Sequence, residues 1–359
     1  MTKKIGILTG GGDCPGLNAA IRGFVKKAAS SLDNEIIGFQ DGFLGVIENR
    51  YVNLSEKEAS GIISLGGTIL GTSNKANPFK HFTGKGASPI DISAQVLSNL
   101  RNLDIEVLVT IGGDGTQQIA YQLHELGVNV IGIPKTIDND LCGTDQTFGF
   151  DTAFSIATEA LDRIHTTAQA HHRIMLVEVM GRYAGWIALH SGVASGSDII
   201  LLPEFPYNLQ NIIDEINKRI MSGRHFTVVV VSEGAKEQGH DMVVREVVAE
   251  STDPLRLGGI AYKLAKELED KSGVEARATV LGHIQRGGTP TAYDRILATQ
   301  FGAHAAELIL KKKYGRMVSL QSNQVTSVNI KETFGKTRVV TKDTQMFIEA
   351  QKLGVCFGL

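Results

Sequence analysis

The sequence predicts an α/β protein of two lobes, each built on a mainly parallel sheet. Short β-branched runs recur along the chain, and each is followed by a turn and then a segment of helical period, the mark of βαβ units. At 359 residues the chain exceeds the roughly 250 residues that a single hydrophobic core usually serves, so two lobes with a cleft between them are expected. The Gly, Asp, Thr and Arg residues gather just after the runs, and parallel sheets bind their ligands at the carboxyl ends of the strands.

The predicted strands cover residues 5–9, 107–111, 128–133, 174–179, 198–202, 226–231 and 278–281. The first helix has Leu17, Ala20, Ile21, Phe24, Val25 and Ala28 at helical spacing, with Arg22, Lys26 and Lys27 on the rest of its surface. One face therefore packs on the sheet. No short repeat, low-complexity tract or Pro-rich linker interrupts the pattern, and the lobe boundary is placed near Gly149.

Composition excludes several classes of partner. With 36 basic and 38 acidic residues, no long-range field favours nucleic acid or an acidic membrane surface. An anionic ligand must then be held by local groups. No apolar run approaches the roughly 20 residues that span a bilayer, and Met1 to Lys4 lead straight into a strand-like segment, so a cytoplasmic protein is expected. Cys14, Cys142 and Cys356 lack metal or redox spacing and are expected to be small buried thiols. His171, His172 and His190 likewise share no metal spacing and are expected to be core or surface residues.

The first strand ends in Thr9-Gly10-Gly11-Gly12-Asp13-Cys14-Pro15-Gly16, a loop almost free of side chains at the start of a helix. Backbone N–H groups in such a loop can approach a phosphate, aided by the positive end of the helix dipole. The spacing is neither a dinucleotide fingerprint nor a P-loop, and a tight strand-to-helix turn is the alternative reading. The strand at 107–111 repeats the arrangement with Gly112-Gly113-Asp114-Gly115-Thr116. A carboxylate among glycines beside a phosphate site suits Mg²⁺, which prefers few carboxylates plus phosphate oxygens and water, so Asp114 is the candidate metal residue. NAD kinases and lipid kinases share this short element. Past residue 133 comes Pro134-Lys135-Thr136-Ile137-Asp138-Asn139-Asp140, where two crowded carboxylates can differ in proton affinity, one taking a proton while the other orders the site. A solvated turn is the alternative for Asp-Asn-Asp in isolation. Two further loops, Met180-Gly181-Arg182-Tyr183-Ala184-Gly185 and Gly282-His283-Ile284-Gln285-Arg286-Gly287-Gly288, supply guanidinium groups whose planar fork suits phosphate oxygens.

In order and combination these motifs resemble the phosphofructokinase family, from the loop at Gly12 to Gly288, over most of the chain. The resemblance implies two Rossmann-like three-layer domains, residues 1–149 with 285–335 binding the phosphoryl donor and residues 150–284 with 336–359 binding the sugar phosphate. It implies transfer of the γ-phosphoryl of ATP to the 1-hydroxyl of fructose 6-phosphate, with Mg²⁺. Asp138 would be the general base, Thr136 and Asp140 would order substrate and metal, and Arg182 would stabilise the transferring group. Gly12, Asn74, Lys75, Gly115, Thr116 and Lys135 would serve the donor, and Asp114 the magnesium. Met180, Gly181 and Glu233 would contact the sugar, while Arg173, Arg277, His283 and Arg286 would grip its 6-phosphate. In the family two of those arginines come from a neighbouring subunit, which implies a homodimer or homotetramer with shared sites.

The choice of donor turns on departures within the family. Its pyrophosphate users resemble one another in having Asp after Gly-Gly-Asp and Lys after the Pro of the catalytic loop, whereas typical bacterial ATP users have Gly at both places. This chain combines Gly115 with Lys135. Gly115 leaves room for an α-phosphate that an Asp would repel, so ATP is the expected donor, with pyrophosphate as the alternative and a non-catalytic sugar-phosphate sensor as the second alternative. Phe43 and Asn74-Lys75 replace a Tyr and an Arg of the bacterial ATP type, and His165 and Ser222 replace basic residues of its effector site. The segment 235–274 is longer than in short bacterial members and has no role assigned from sequence.

Overall fold

Alternating β-branched and amphipathic segments fold into two helix-covered sheets in a computed structural model that describes residues 4–33, 35–84, 87–248 and 255–359. The chain opens with β1 (Lys4–Thr9), α1 (Leu17–Ala29), β2 (Glu35–Phe39), α2 (Phe43–Glu48), β3 (Tyr51–Asn53), α3 (Ser93–Asn102), β4 (Ile105–Gly112), α4 (Asp114–Glu125) and β5 (Val130–Pro134). Next come α5 (Phe150–His171), β6 (Ile174–Val179), α6 (Trp186–Ala194), β7 (Ile199–Leu201), α7 (Leu209–Met221) and β8 (Thr227–Ser232). They are followed by β9 (Val244–Val247), β10 (Leu255–Leu257), α8 (Ile260–Ser272) and β11 (Ala276–Val280), then α9 (Ala292–Leu310), β12 (Arg316–Gln321), β13 (Gln324–Asn329) and α10 (Gln345–Lys352).

Among the described residues, the larger sheet has the order β13-β12-β5-β4-β1-β2-β3 and the smaller one β11-β6-β8-β7. Pairing within these two sheets is parallel, except that β3 and β13 pair antiparallel at the two edges of the larger one, and β9 and β10 form a separate antiparallel pair. Central strands are covered on both faces, which is why β1, β4 and β8 read as nearly unbroken apolar runs. Helices α1 and α9 lie together against the larger sheet, and they approach closely because a Cβ at Gly302 would meet the Phe24 nitrogen at 2.7 Å. The chain leaves β1 towards β2 on one side, whereas β4 lies on the other, so a crevice opens between the carboxyl ends of β1 and β4.

All seven predicted strands are present, with bounds shifted by at most two residues. Sequence periodicity missed β2, β3 and the β9–β10 and β12–β13 hairpins. The β12–β13 turn is two residues long, and Ser322 and Asn323 both adopt left-handed φ, 49° and 63°, as such a turn requires. Only Cys14 is a buried thiol; Cys142, with Sγ directed at the Lys336 carbonyl, and Cys356, bridged to the strand end at Ile199, are half-buried, a correction to the expectation for all three. In the unassigned 235–274 segment, the described residues form β9, β10 and α8, and 249–254 lie outside the described residues, as do Met1, Thr2 and Lys3. No helix among the described residues is long and apolar enough to cross a membrane.

Candidate active site

Three neighbouring strands, β1, β4 and β5, deliver their loops to one edge of the larger sheet. The β1 loop turns into α1 through Gly16, whose φ of 99° is ready for glycine and strained for other residues. Gly10 N–H donates to the Ile111 carbonyl at 2.8 Å, joining the first loop to the second. Between them sits Thr116, 6% exposed, so close that a Cβ on Gly10 would meet its Oγ1 at 2.7 Å. Its side chain is packing, and its backbone belongs to the first turn of α4.

Helix α4 starts at Asp114, with Gly113 before it and no side chain capping its amides. A Cβ at Gly115 would meet nothing within 4 Å, so the space in front of this helix end is open. Asp114 is exposed at the cleft, its Oδ1 accepts the Gly335 N–H at 2.9 Å, and partial desolvation of the carboxyl raises its proton affinity, opposed by that hydrogen bond. The segment before Asn74 and Lys75 runs beside the glycine loop, with Gly11 N–H donating to the Ser73 carbonyl at 3.1 Å and Thr72 Oγ1 donating to the Gly11 carbonyl at 2.7 Å. Asn74 and Lys75 are themselves exposed there.

Lys135 is 3% exposed and donates from Nζ to the Gly12 carbonyl at 2.6 Å, bracing the glycine loop from below. Burial lowers its proton affinity, reinforced by the Arg286 charge and opposed by the carboxylates of Asp13 and Asp138. Arg286 also lies on this loop: its Nη1 donates to the Asp13 carbonyl at 3.1 Å, and a Cβ on Gly12 would meet it at 2.8 Å.

Asp138 is 7% exposed, and its Oδ1 has no hydrogen-bond partner, while its backbone N–H donates to Thr136 Oγ1 at 3.1 Å. An unsatisfied buried acceptor in a cleft is rare and suits a group that must take a proton. Around it, Asp140 is pushed up to about 7 by burial and then by the Asp138 charge. Glu233, at the end of β8, is likewise pushed up to about 7 by burial and then by Asp138. Its Oε1 accepts the Arg182 N–H at 3.2 Å, so the loops after β5, β6 and β8 meet around these carboxyl groups. Arg182 has a left-handed φ of 49°, and its Nη2 donates to the Leu255 carbonyl of β10 at 3.3 Å, which gives the longer 235–274 segment a place at the site. Before it, Met180 is half-buried and Gly181 has φ 137°.

Two predicted residues lie elsewhere. Arg173 precedes β6 and Arg277 lies near the start of β11, whereas Met180 and His283 follow the far ends of those strands. Six residues of extended chain span roughly 20 Å, so both arginines lie at the opposite edge of the smaller sheet from Arg182. They flank one carboxylate there: Arg173 Nε donates to Glu275 Oε2 at 2.7 Å, and Arg277 donates to Glu275 Oε1. His283 is exposed in the 3₁₀ turn Gly282–Arg286 at the site edge.

Sequence reasoning missed two supporting residues. Asp294, 0% exposed near the start of α9, accepts the Thr152 N–H at 2.8 Å and the Thr152 hydroxyl at 2.5 Å, fixing the start of α5. Arg338 contacts the 138–140 loop from behind and stands in no motif, so a local pattern offers no signal for it.

A sequence model of the Phosphofructokinase family matches residues 4–309. The chain is 50% identical to the ATP-dependent 6-phosphofructokinase 2 of Clostridium perfringens, over 99% of this chain and 98% of that protein. It is 46% identical to the pyrophosphate–fructose 6-phosphate 1-phosphotransferase of Streptomyces coelicolor, over 99% of this chain and all of that one. The fold matches the crystal structure of the pyrophosphate-dependent phosphofructokinase of Marinobacter aquaeolei with a TM-score of 0.80 at 22% identity, over 99% of this chain and 92% of that one. With two glycine loops, a crowded carboxylate loop and an arginine loop converging as its motifs require, the chain belongs to the phosphofructokinase family.

Proposed function

We propose that the protein is an ATP-dependent 6-phosphofructokinase, and that the open space before Gly115 carries the choice of donor. A nucleotide's α-phosphate needs room and positive potential at this helix end, and both are available there. An Asp at this position would add bulk and negative charge. Relatives named as ATP-dependent at 44–50% identity support the same donor, beside one pyrophosphate user at 46%, and the local geometry supplies the physical reason.

Asp138 takes the proton of the sugar's 1-hydroxyl as the O1–P bond forms and the bond from the γ-phosphorus to the bridging oxygen breaks, releasing ADP. Its unpartnered Oδ1 supports this role. Arg182 faces the charge that spreads over the transferring group, and such positioning and charge stabilisation supply most of the catalysis in phosphoryl transfer. No cluster of three or more His, Cys, Asp or Glu among the described residues could hold a metal by itself. That fits Mg²⁺, which takes one or two carboxylates and fills its shell with phosphate oxygens and water. Asp114 and Asp140 would hold it, and the ion would neutralise the charge of the donor's phosphates. Asn74, Lys75 and the Gly12 loop serve the donor, and Met180, Gly181 and Glu233 serve the sugar. The two sheets correspond to two lobes, 1–149 with 285–335 and 150–284 with 336–359.

Arg173 and Arg277 lie at the opposite strand ends from Arg182, so they serve the 6-phosphate in a second copy, alongside that copy's His283 and Arg286. The assembly is a homodimer or homotetramer. Retention of Asp114, Asp138, Asp140 and Arg182 argues against a non-catalytic sensor. The deciding measurement is turnover of fructose 6-phosphate by the pure protein with MgATP against magnesium pyrophosphate. ATP is expected to be the faster donor, and a faster rate with pyrophosphate overturns the assignment.

A further inference from the structure

We infer that Arg338 is a positioning residue for the 138–140 loop, holding it in register with the segment that follows Arg182; the inference rests on the phosphofructokinase reading above. Between β13 and α10 the chain crosses the cleft edge, first through a 3₁₀ turn over Ile330–Glu332 and a run of bends, then from Thr337 as a short strap. Gly335 N–H reaches Asp114 Oδ1 at 2.9 Å, Thr337 is bridged antiparallel to Leu141, and Arg338 N–H donates to the Asp140 carbonyl at 2.7 Å. Farther on, Val340 N–H donates to Glu204 Oε1 at 2.8 Å, and that oxygen also accepts the Gly185 N–H at 2.8 Å.

The Arg338 side chain ties these contacts together. Its Nη1 donates to the Asn139 carbonyl at 3.0 Å, and its guanidinium carbon stands 4.2 Å from the centre of the Trp186 ring. Trp186 in turn donates from Nε1 to the Arg338 carbonyl at 2.9 Å. Asn139 has a left-handed φ of 52°, a conformation that a residue with a side chain keeps when its surroundings hold it there. Among the described residues Arg338 makes no ion pair with a carboxylate, so its donors are directed to backbone and ring. Asp138 Oδ1 has no hydrogen bond of its own, so the backbone of its loop must set the direction of that carboxylate. Arg338 grips that backbone at Asn139 and Asp140, one and two residues away. Lysine lacks the planar group that can stack on Trp186 and donate sideways to a carbonyl at once.

The test uses the full chain with Arg338→Lys and Arg338→Ala, assayed with fructose 6-phosphate and MgATP. A misplacement of about 1 Å can cost 100-fold, so kcat is expected to fall by about 10- to 100-fold in both variants. The KM for fructose 6-phosphate should stay within about threefold, because ground-state binding is not what the strap controls. Guanidinium ion, added well below denaturing concentrations, should restore part of the kcat of Arg338→Ala. The emission of Trp186, the single tryptophan of the chain, should change in both variants. If Arg338→Ala fails to fold by circular dichroism, Arg338→Lys carries the kinetic test. Variant kcat within about twofold of the parent, or a loss carried mainly by KM without guanidinium rescue, overturns the inference. A parent chain inactive on fructose 6-phosphate overturns the proposed reaction instead, which separates the two failures.

Discussion

Lys135 donates from its buried Nζ to the carbonyl oxygen of Gly12 across 2.6 Å, joining the catalytic loop after β5 to the glycine loop after β1. The cation thus holds the shape of the loop that would cradle the donor. Replacing it by Met leaves a buried carbonyl without this donor, a loss of about 1–3 kcal/mol. The expected outcome for Lys135→Met is a lower midpoint of urea unfolding, with the KM for ATP rising more than the KM for fructose 6-phosphate. An unchanged midpoint would show that the brace is dispensable.

Asp138→Asn removes the base while keeping the shape of the loop. General-base catalysis is commonly worth about 10²- to 10⁴-fold, so kcat should fall by that amount. Fructose 6-phosphate binding by titration calorimetry should change little. A variant retaining a tenth or more of parent turnover would remove Asp138 as the base.

Gly115→Asp tests the donor. A Cβ there meets nothing within 4 Å, and Asp in the first turn of a helix is favourable, so the variant should fold as well as the parent. Turnover with MgATP should drop by at least about tenfold, equivalent to about 1.4 kcal/mol of repulsion in the transition state. Comparing both donors in one assay shows whether the loss is confined to the nucleotide.

The pH dependence follows from Asp140 and Glu233, both pushed up to about 7 from the ordinary carboxylic range. A carboxyl group with a raised folded-state pKa favours the fold while it is protonated, and that contribution fades as pH climbs from the unfolded value through the folded one. The ligand-free protein should therefore lose stability between about pH 5 and pH 8 by a few kcal/mol. Urea unfolding at the two pH values measures this, and Asp140→Asn with Glu233→Gln should flatten the dependence. A midpoint that rises with pH in the parent would contradict the burial of these groups.

How much of this arrangement can be read from sequence depends on how local the signal is. Strand β6 is legible because a run of six residues, five of them apolar, leads into Met-Gly-Arg, and the Asp138 loop because it follows a strand and concentrates carboxylates. Arg338 and Asp294 are not, because each acts on a loop or helix start more than 100 positions away and no local pattern records the contact. Lys135 is intermediate: its presence was evident, while its direction towards Gly12 follows from the side-by-side order of β5, β4 and β1. The separation of Arg173 from Arg182 follows from strand polarity, once both are placed at opposite ends of β6.

That separation yields the strongest test of a shared site. If Arg277 of one copy completes the sugar-phosphate site of another, Arg277→Ala and Asp138→Ala each abolish activity through different subunits. In a homodimer with two shared sites, a mixed pair concentrates both defects in one site and leaves the other complete. Subunits exchanged after mild dissociation should therefore recover about a quarter of parent activity at equal mixing, since half of the dimers are mixed and each keeps one of two sites. The single variants, taken through the same exchange alone, should recover none. Absence of recovery in a mixture shown by mass to contain mixed oligomers would assign Arg277 to its own chain's Glu275 and remove the shared site.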